Sequence, residues 1–529
     1  MHTSKNLREL TLRGLILGSI LTLIFTASNV YLGLKVGLTF SSSIPAVVIS
    51  MAVLSLFKNS SILENNMVQT EASAAGTLSA VIFVIPGLFM CGYWSEFPLW
   101  QTFMICLCGG VLGVLFTIPL RRVMIVESKL AYPEGRAAAE ILKVANKAQS
   151  DKKGKEGVKE IAFGSLIAAA MSLFSSGFKI IASESSLAFI WNKMAFGFSM
   201  GYSLALLGAG YLVGLTGAVA LFVGMFLAWG VFTPYLSSFE FTSTSEAVSL
   251  AGSVWKDKVR LIGTGAIAIA ALWTLFELLK PVLEGMKDLI KHAKLSPELS
   301  QQDLSMKSIM LLFFITLLGL FATFYSFVSE ANLSSFYTLL FSVGGTILAV
   351  LIGFFVAAAC GYMAGLVGSS AQGIFHQNIE WKYIAFGICV GIFVIIIDKL
   401  LKRSGKMLPP LAVGIGIYLP PSVNIPLVIG GVLKYLVMKK LAKKYANNSH
   451  KDEKLAKSEQ RGTLFASGLI VGESICGVII AGITAFSLSR GGSESPLELG
   501  LSIHNNELFA LIFFIAVVLF FIKRILRKD

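Results

Sequence analysis

The chain has 529 residues, of which 55% are apolar and only 14% are charged. Apolar stretches of about 20 residues, long enough to cross a lipid bilayer, recur from one end to the other. The composition therefore argues against a soluble protein and predicts a polytopic membrane protein. The formal net charge of +14 does not indicate nucleic-acid binding. The basic residues are concentrated in a few loops between apolar runs, as the positive-inside rule expects.

Candidate membrane spans follow one another along the whole chain. They lie near residues 14–34, 39–57, 68–90, 100–120, 161–182, 198–214, 215–236, 260–282, 308–328, 336–358, 383–401, 409–419, 423–438, 463–488 and 506–523. To keep the basic segments on one side, either one more crossing is needed between residues 336 and 382 or one span is re-entrant. We therefore predict an all-α fold, a polytopic integral membrane helical bundle of about 14–16 transmembrane helices with broken or re-entrant segments. It forms a single transmembrane domain over residues 1–529.

Three polar loops carry most of the basic residues. Lys and Arg number ten in residues 121–160, four in residues 283–307 and eight in residues 439–461, whereas loops 91–99 and 329–335 have none. Basic loops stay in the cytoplasm. This predicts a multi-pass protein of the cytoplasmic (inner) membrane with both termini in the cytoplasm. The first apolar run starts near Leu12 and lacks a clear signal-peptide cleavage site, so we expect it to remain as a span.

Two segments interrupt an apolar run with glycine, serine or proline. They are NVYLGLKVGLTFSSSIP at residues 29–45 and LPPLAVGIGIYLPPSVNIPLVI at residues 408–429. Irregular backbone survives in a bilayer only where protein or a water-filled cavity satisfies its polar groups. Broken segments therefore point to a transporter's binding site, although the first could also be a plain loop between two spans. The predicted cavity residues are Asn29, Tyr31, Ser41, Ser42 and Ser43 from the first segment and Gly416, Tyr418 and Asn424 from the second.

The third span begins ENNMVQTEASAAGTLSA at residues 64–80 and carries an ordered polar stripe. At about 100° per residue, Asn66, Thr70, Ser73 and Thr77 fall on one side of the helix. Such a stripe either makes interhelical hydrogen bonds, worth about 1 kcal/mol or less each, or forms one wall of a polar cavity. We favour the cavity and expect Asn66, Gln69, Thr70 and Ser73 to line it.

Two carboxylates inside predicted spans are candidates for proton coupling, because an ionisable group in a span is costly and suggests function. Glu71 lies away from the polar stripe. It could also pair with a substrate amine, or reach the headgroups from near the helix start. Glu473 lies deeper, where an unpaired carboxylate is driven towards its neutral form. Its structural alternative is a bond to a buried donor such as Lys179. The GxxxG pair Gly468 and Gly472 beside it predicts tight helix packing.

The sequence contains no recognisable constellation for catalysis. It has no Gly-rich phosphate loop ending in Lys-Ser/Thr, no HExxH and no GxSxG, and its six cysteines form no CxxC. We therefore predict that the protein is not an enzyme and needs no cofactor or metal. A gradient-driven carrier fits these features better than ATP-driven transport by this chain alone.

Several segments, in family order, resemble the oligopeptide transporter family, and within it the prokaryotic members on the yellow-stripe-like side. They include NVYLGLKVGLTFSSSIPAVVISM, ENNMVQTEASAAGTLSAVIFVIPGL, IPLRRVMIVESKLAYPEGRAAAE, LLGAGYLVG, RLIGTGAIAIAALWT, LPPLAVGIGIYLP and RGTLFASGLIVGES. Together they cover most of the chain. The resemblance implies proton-coupled symport. The substrates it implies are small peptides, glutathione-like compounds, and metal chelates of nicotianamine-type or siderophore ligands.

The chain departs from the family pattern near residues 370–371. There GYMAGLVGSS runs directly into AQGIFHQNIEW, which resembles a later part of the pattern. Family members usually have further helices between these two segments, so the resemblance implies an internal deletion at this point.

The expected function is proton-coupled symport of small oligopeptides or peptide-like compounds across the cytoplasmic membrane. The alternatives are a metal-chelate transporter and a shortened relative that does not transport and acts as a receptor or partner subunit. The expected partners are a small peptide or peptide-like metal chelate, protons and the lipid bilayer, but no nucleic acid. The sequence leaves open whether the chain forms a homo-oligomer.

Overall fold

Helices make up nearly all of the described chain, as the apolar runs predict. A computed structural model describes residues 8–526 apart from 37–41, 58, 91, 122–123, 126–131, 149–151, 243–245, 292–303, 332, 367–379, 447–450, 494 and 501–505. The helices of the first half are α1 (Leu12–Val36), α2 (Ser43–Leu54), α3 (Ile62–Leu78), α4 (Pro86–Met90), α5 (Leu99–Arg121), α6 (Pro133–Ala148), α7 (Lys152–Ser172), α8 (Leu204–Val213), α9 (Leu215–Phe226), α10 (Thr233–Ser237) and α11 (Ala247–Val254). Those of the second half are α12 (Arg260–Lys291), α13 (Met306–Ser329), α14 (Ser335–Leu366), α15 (Trp381–Arg403), α16 (Pro410–Tyr418), α17 (Pro421–Lys444), α18 (Lys451–Ser489) and α19 (Asn506–Leu526).

Helix length and composition confirm the predicted class, a polytopic helical membrane protein. Ten helices in the described ranges are long and apolar enough to cross a membrane. Two further apolar helices, α2 (Ser43–Leu54) and α8 (Leu204–Val213), are shorter. α2 lies beside the first interrupted run, which is where a short helix is expected when a span is broken.

The first of two compact units comprises Met1–Ala80, Ala131–Ala270 and Leu366–Asp529. In this unit α18 packs along α7 and α8. Gly468 and Gly472 of α18 lie against the backbone carbonyl groups of Ile161 and Ser165 in α7, where a Cβ would collide with them. Close approach of two backbones through small residues is typical of helix packing in lipid. The tight packing predicted from the GxxxG pair is therefore confirmed.

Two broken helices pack against each other in the same unit. The break between α8 and α9 is Gly214, whose φ of +83° favours glycine. The break between α16 and α17 is the pair Leu419 and Pro420, just as the second interrupted segment predicts. α17 packs against α8 and α9, and α16 packs against α9. In the first interrupted segment, α1 ends at Val36 and α2 begins at Ser43, with residues 37–41 outside the described part.

The second unit comprises Val81–Leu130 and Ala271–Gly365. Its core joins α5 to α13 and α14 through buried apolar side chains, which are Cys108, Leu112, Phe116, Leu120, Met124, Leu320 and Ala358. Phe116 packs edge-on against Phe354, with 5.3 Å between the ring centroids. Tyr93, in the segment before α5, stacks on Phe327 of α13 and donates a hydrogen bond to its carbonyl oxygen.

Residues 184–201 form a β-hairpin. The predicted span 198–214 is therefore wrong at its start, because residues 198–201 belong to a strand. β1 (Glu184–Trp191) and β2 (Met194–Gly201) pair antiparallel around Asn192 and Lys193. Both turn residues have positive φ, 49° and 65°, as the hairpin turns that match strand twist require. The turn lacks the Asn-Gly signal, and residues 198–201 at the end of β2 run into the apolar helix α8 without a charged residue. Hydropathy alone therefore assigned part of the hairpin to the membrane.

The basic segment at residues 121–160, predicted as a loop, is largely helical. It contains α6 and the first turns of α7. α6 buries Ala137, Ala138, Ile141 and Leu142, which recur at the spacing of one helix face. This amphipathic helix packs against α7 and α2. Its mean hydropathy is low because its other face is polar, which is why a search for apolar runs did not find it.

Candidate functional site

The polar residues predicted at the first interrupted segment converge on α3. Asn29 Nδ2 donates to the carbonyl oxygen of Gly76 at 3.4 Å, and Ser42 Oγ donates to that of Ala72 at 3.4 Å. Asn29, Ser42 and Ser43 are all buried. In this conformation the group joins α1, α2 and α3. Ser41 and the side chain of Tyr31 lie outside the described residues.

The polar stripe on α3 lies on one face, as predicted, but it is neither buried nor bonded to another helix through its threonines. Asn66, Thr70 and Thr77 are exposed, and Gln69 and Ser73 are half-buried. Thr70 Oγ1 donates to the carbonyl oxygen of Asn66 at 2.8 Å, and Thr77 Oγ1 donates to that of Ser73 at 2.9 Å. Threonine readily bonds to the carbonyl one turn earlier, so this polar face needs no partner helix.

Glu71 faces α1 from the opposite side of α3. Its Oε1 accepts a hydrogen bond from Ser19 Oγ at 2.9 Å. Its Oε2 is buried without a hydrogen-bond partner, and a Cβ at Gly18 would collide with that atom. A buried carboxylate oxygen without a donor is costly. Glu71 is therefore enclosed between two helices and only partly satisfied.

Glu473 binds the N-terminus of the half-helix α8. Its Oε1 accepts a hydrogen bond from Ser203 Oγ at 2.6 Å, and its Oε2 accepts one from the backbone N–H of Ala205 at 2.8 Å. Ser203 also caps α8 by accepting from the backbone N–H of Leu206. Glu473 is therefore hydrogen-bonded, because the start of α8 supplies donors, and its partner is not the suggested alternative Lys179. Lys179 bonds instead to Ser495 and Glu498.

Asn424 bridges the break in the second interrupted segment. Its Nδ2 donates to the carbonyl oxygens of Gly416 and Leu419, both at 3.0 Å. These two carbonyl groups flank Tyr418 at the end of α16. Asn424 is completely buried, and its Oδ1 has no hydrogen-bond partner. The structure thus brings Gly416, Tyr418 and Asn424 together at the break, apart from the α1–α3 group on other helices.

Arg260, at the start of α12, completes this second group and was not predicted. Its side chain is buried (7% exposed), its Nη2 donates to Tyr418 Oη at 3.0 Å, and its Nε is buried without a partner. The guanidinium carbon lies 4.5 Å from the Tyr418 ring centroid and 5.7 Å from that of Trp255. A cation at the start of an apolar run was a signal available in the sequence.

Two tryptophans extend the group away from Arg260. Trp229 lies in the π-helical turn Leu227–Phe232 and Trp255 in the π-helical turn Trp255–Val259. Their ring centroids are 5.6 Å apart, and both indole N–H groups are buried without acceptors. π-Helical turns inside helices are frequent at functional sites. Such a turn displaces side chains from the α-helical positions that sequence periodicity predicts.

A half-open apolar groove of about 500 Å³ lies beside Trp229. Its walls come from the β-hairpin and Trp229, and they are Leu187, Ala188, Phe189, Phe196, Gly197, Phe198 and Trp229. The groove is open on one side, because several of its lining side chains are exposed. The first unit therefore has an apolar groove, a tryptophan pair and a buried cation in succession.

Comparison with known proteins agrees with the family resemblance. The model of the family described as "OPT oligopeptide transporter protein" matches residues 9–373 and 369–484. A "Putative oligopeptide transporter" of Haemophilus influenzae is 41% identical over 637 aligned positions, which cover 94% of this chain and 99% of that protein. A "Probable metal-nicotianamine transporter" of Oryza sativa is 31% identical over 26% of this chain and 20% of its own length. A "Metal-nicotianamine transporter" of Arabidopsis thaliana is 27% identical over 26% of this chain and 21% of its own length.

Proposed function

We propose that this chain, which belongs to the oligopeptide transporter family, is a proton-coupled symporter for small oligopeptides or peptide-like compounds. It would act in the cytoplasmic membrane with both termini in the cytoplasm. The observation that carries the coupling part of this proposal is the bond between Glu473 and the N-terminus of α8. A carboxyl group inside a membrane domain is the usual carrier of a coupling proton.

The proposed coupling follows from the hydrogen bonds of Glu473. Both of its oxygens act as acceptors, towards Ser203 Oγ and the backbone N–H of Ala205. A proton added to the carboxyl group removes its charge, and with it the attraction to the positive end of the α8 dipole. Protonation therefore weakens the link between α18 and α8. We propose that α8, a half-helix that ends at Gly214, then shifts relative to α9.

Substrate contacts are proposed at the break between α16 and α17. Gly416, Tyr418 and Asn424 meet there beside a buried cation, and Asn424 Oδ1 is an unused buried acceptor. Asn29, Ser42 and Ser43 remain candidates only in a conformation that separates them from α3. Asn66, Gln69, Thr70 and Ser73 are open enough to line a water-filled path. Cysteine replacement at these positions, with labelling in the presence and absence of substrate, tests each group separately.

Transport itself is tested with purified protein in sealed proteoliposomes. We expect accumulation of radiolabelled di- to tetrapeptides when an inward proton gradient is imposed, and loss of accumulation when an ionophore collapses it. Protein-free liposomes under the same gradient control for leak. No uptake of any peptide or chelate in a panel would overturn the symporter proposal.

A metal chelate is the second candidate substrate. It is supported by similarity to two plant proteins named as metal-nicotianamine transporters. A thermal-shift screen of peptides against nicotianamine–metal complexes separates the two, because a ligand stabilises the folded state in proportion to ln(1 + [L]/Kd). Stabilisation by chelates alone would favour this alternative.

A shortened, non-transporting relative is the third candidate. The two family matches meet at residues 369–373, and the alignment with the Haemophilus influenzae protein has 637 positions although this chain has 529 residues. That protein therefore contains residues that this chain lacks, which supports the proposed internal deletion near residues 370–371. Substrate binding without flux across sealed vesicles would identify a receptor or partner subunit.

A further inference from the structure

We propose that Arg260, together with the indole N–H groups of Trp255 and Trp229, forms a binding site for the carboxylate group of the substrate. The identity of the ligand as a transported substrate rests on the proposed function. The chemistry of the site rests on the donors themselves. The ligand class is a small organic acid whose carboxylate is accompanied by apolar or amide groups, as in a peptide C-terminus.

The first argument compares Arg260 with two other arginines of the same unit. In Arg13, Nε and Nη2 donate to Glu64 at 2.6 and 2.7 Å. In Arg524, Nε and Nη2 contact Glu160 at 2.9 and 2.8 Å. Each guanidinium thus holds a carboxylate with the same edge, which is the preferred geometry for this pair. Within the described ranges, the corresponding edge of Arg260 contacts the Tyr418 hydroxyl through Nη2, and its Nε has no hydrogen-bond partner.

The second argument is the cost of burying such a cation. Arg260 is as well buried as many core residues, yet no carboxylate among the described residues pairs with it. Among the described residues, its charge is met by one hydrogen bond to the Tyr418 hydroxyl and by the rings of Tyr418 and Trp255. Cation–π contacts compensate part of the desolvation, but a buried charge is normally paired or hydrogen-bonded throughout. An incoming carboxylate would supply the missing acceptor.

The third argument concerns the neighbouring donors and space. The indole N–H groups of Trp255 and Trp229 are buried and have no acceptor. Each belongs to a π-helical turn, and their rings pack together within 5.6 Å of each other. Trp229 also lines the half-open apolar groove beside the hairpin. Contacts therefore run from Arg260 to Trp255 and on to Trp229 and the groove, so a ligand held at Arg260 has two further unused donors and an apolar surface along the same line.

The test measures binding by the purified full-length protein in detergent and needs no transport. Tryptophan fluorescence is titrated with trialanine, with trialanine amide, which lacks only the carboxylate charge, and with zinc-bound nicotianamine as a second carboxylate probe. We expect a saturable change in fluorescence with a carboxylate probe. We also expect the amide to bind at least about tenfold more weakly than trialanine. No response to either carboxylate probe, or equal affinity for trialanine and its amide, would overturn the proposal.

Variants then locate the binding. R260K keeps the charge but loses the planar fork, and W255F keeps a ring but loses the N–H; both are expected to reduce the preference for trialanine over its amide. R524K is the matched control, because Arg524 already holds Glu160, and it should bind like the wild type. If R260K and R524K weaken carboxylate binding equally, Arg260 is structural and the proposal fails.

The outcome is separable from that of the proposed function. Carboxylate binding that depends on Arg260, without uptake in proteoliposomes, would sustain this site and overturn symport. If wild type and R260K both take up trialanine and prefer it over its amide to the same degree, symport is sustained and this site is overturned.

Discussion

The carboxylate of Glu473 accepts a hydrogen bond from the backbone N–H of Ala205 at 2.8 Å, which ties the middle of α18 to the first turn of α8. Glu473→Gln keeps the shape of the side chain and removes its titration. We expect proton-driven accumulation of substrate to disappear, while exchange of labelled for unlabelled substrate continues. Uptake and counterflow by the same proteoliposomes provide the two measurements. Normal accumulation with an unchanged pH dependence would show that Glu473 is structural.

Ser203→Ala is the companion to that variant. It removes the hydroxyl that bonds to Glu473 Oε1 and caps α8, but it leaves the titrating carboxyl group in place. Loss of an N-cap costs about 1 kcal/mol. We therefore expect a lower Tm and slower uptake with coupling retained. Loss of coupling in both variants would indicate that the α8 contact, rather than the proton, is what accumulation requires.

The structure bears out those sequence predictions that depend on local chemistry. Gly468 and Gly472 pack as expected because close approach of helices requires small residues wherever it occurs. The break at Tyr418–Pro421 was likewise visible, since consecutive prolines cannot continue a helix. The partners of Glu473 were not predictable, because Ser203 lies 270 positions earlier in the chain. Arg260 gave only a weak signal in the sequence, a cation at the start of an apolar run; the packed structure is needed to show that no carboxylate in the described part of the chain pairs with it.

Gly472→Ala tests the packing of α18 on α7. An added Cβ would collide with the carbonyl oxygen of Ser165, a backbone atom that cannot move aside easily. Overpacking of this kind costs about 1–3 kcal/mol, so we expect a clearly lower Tm in detergent. Gly482→Ala is the control in the same helix, because nothing lies within 4 Å of its Cβ position. Equal Tm values for the two variants would contradict the close packing.

Glu160→Gln tests the ion pair that joins α7 to α19. Glu160 contacts Arg524 through two bonds of 2.8 and 2.9 Å, and the side chains are only 10% and 16% exposed. Removing one partner of a buried pair costs about 3–5 kcal/mol, because the other charge is left unpaired. We expect strong destabilisation, with partial recovery when Arg524→Met is added. If Glu160→Gln alone is as stable as the wild type, the pair is effectively solvated.

Asn424→Ala tests how the broken helix is held. The change removes both donors to the carbonyl oxygens of Gly416 and Leu419 in a fully buried place. Each buried carbonyl left without a donor costs about 1–3 kcal/mol, so we expect a lower Tm and weaker substrate binding, since Tyr418 lies between the two carbonyls. Val437→Ala, which creates a small cavity at a buried position further along α17, is a control for general loosening of this helix. Unchanged binding in Asn424→Ala would separate the break from the substrate site.

Glu71→Gln decides between the two candidate proton carriers. Glu71 Oε2 is buried without a donor, so replacing the carboxylate with a neutral amide should cost little stability and could raise the Tm. If Glu71 carries the coupling proton, gradient-driven accumulation disappears in Glu71→Gln and survives in Glu473→Gln. If Glu473 carries it, the pattern is reversed. Ser19→Ala controls for the loss of the single hydrogen bond at Oε1, which is 2.9 Å long in the wild type. Normal proton-driven accumulation in both glutamine variants would exclude both carboxylates as the obligatory carrier, and the coupling mechanism proposed for the α8 half-helix would fall with them.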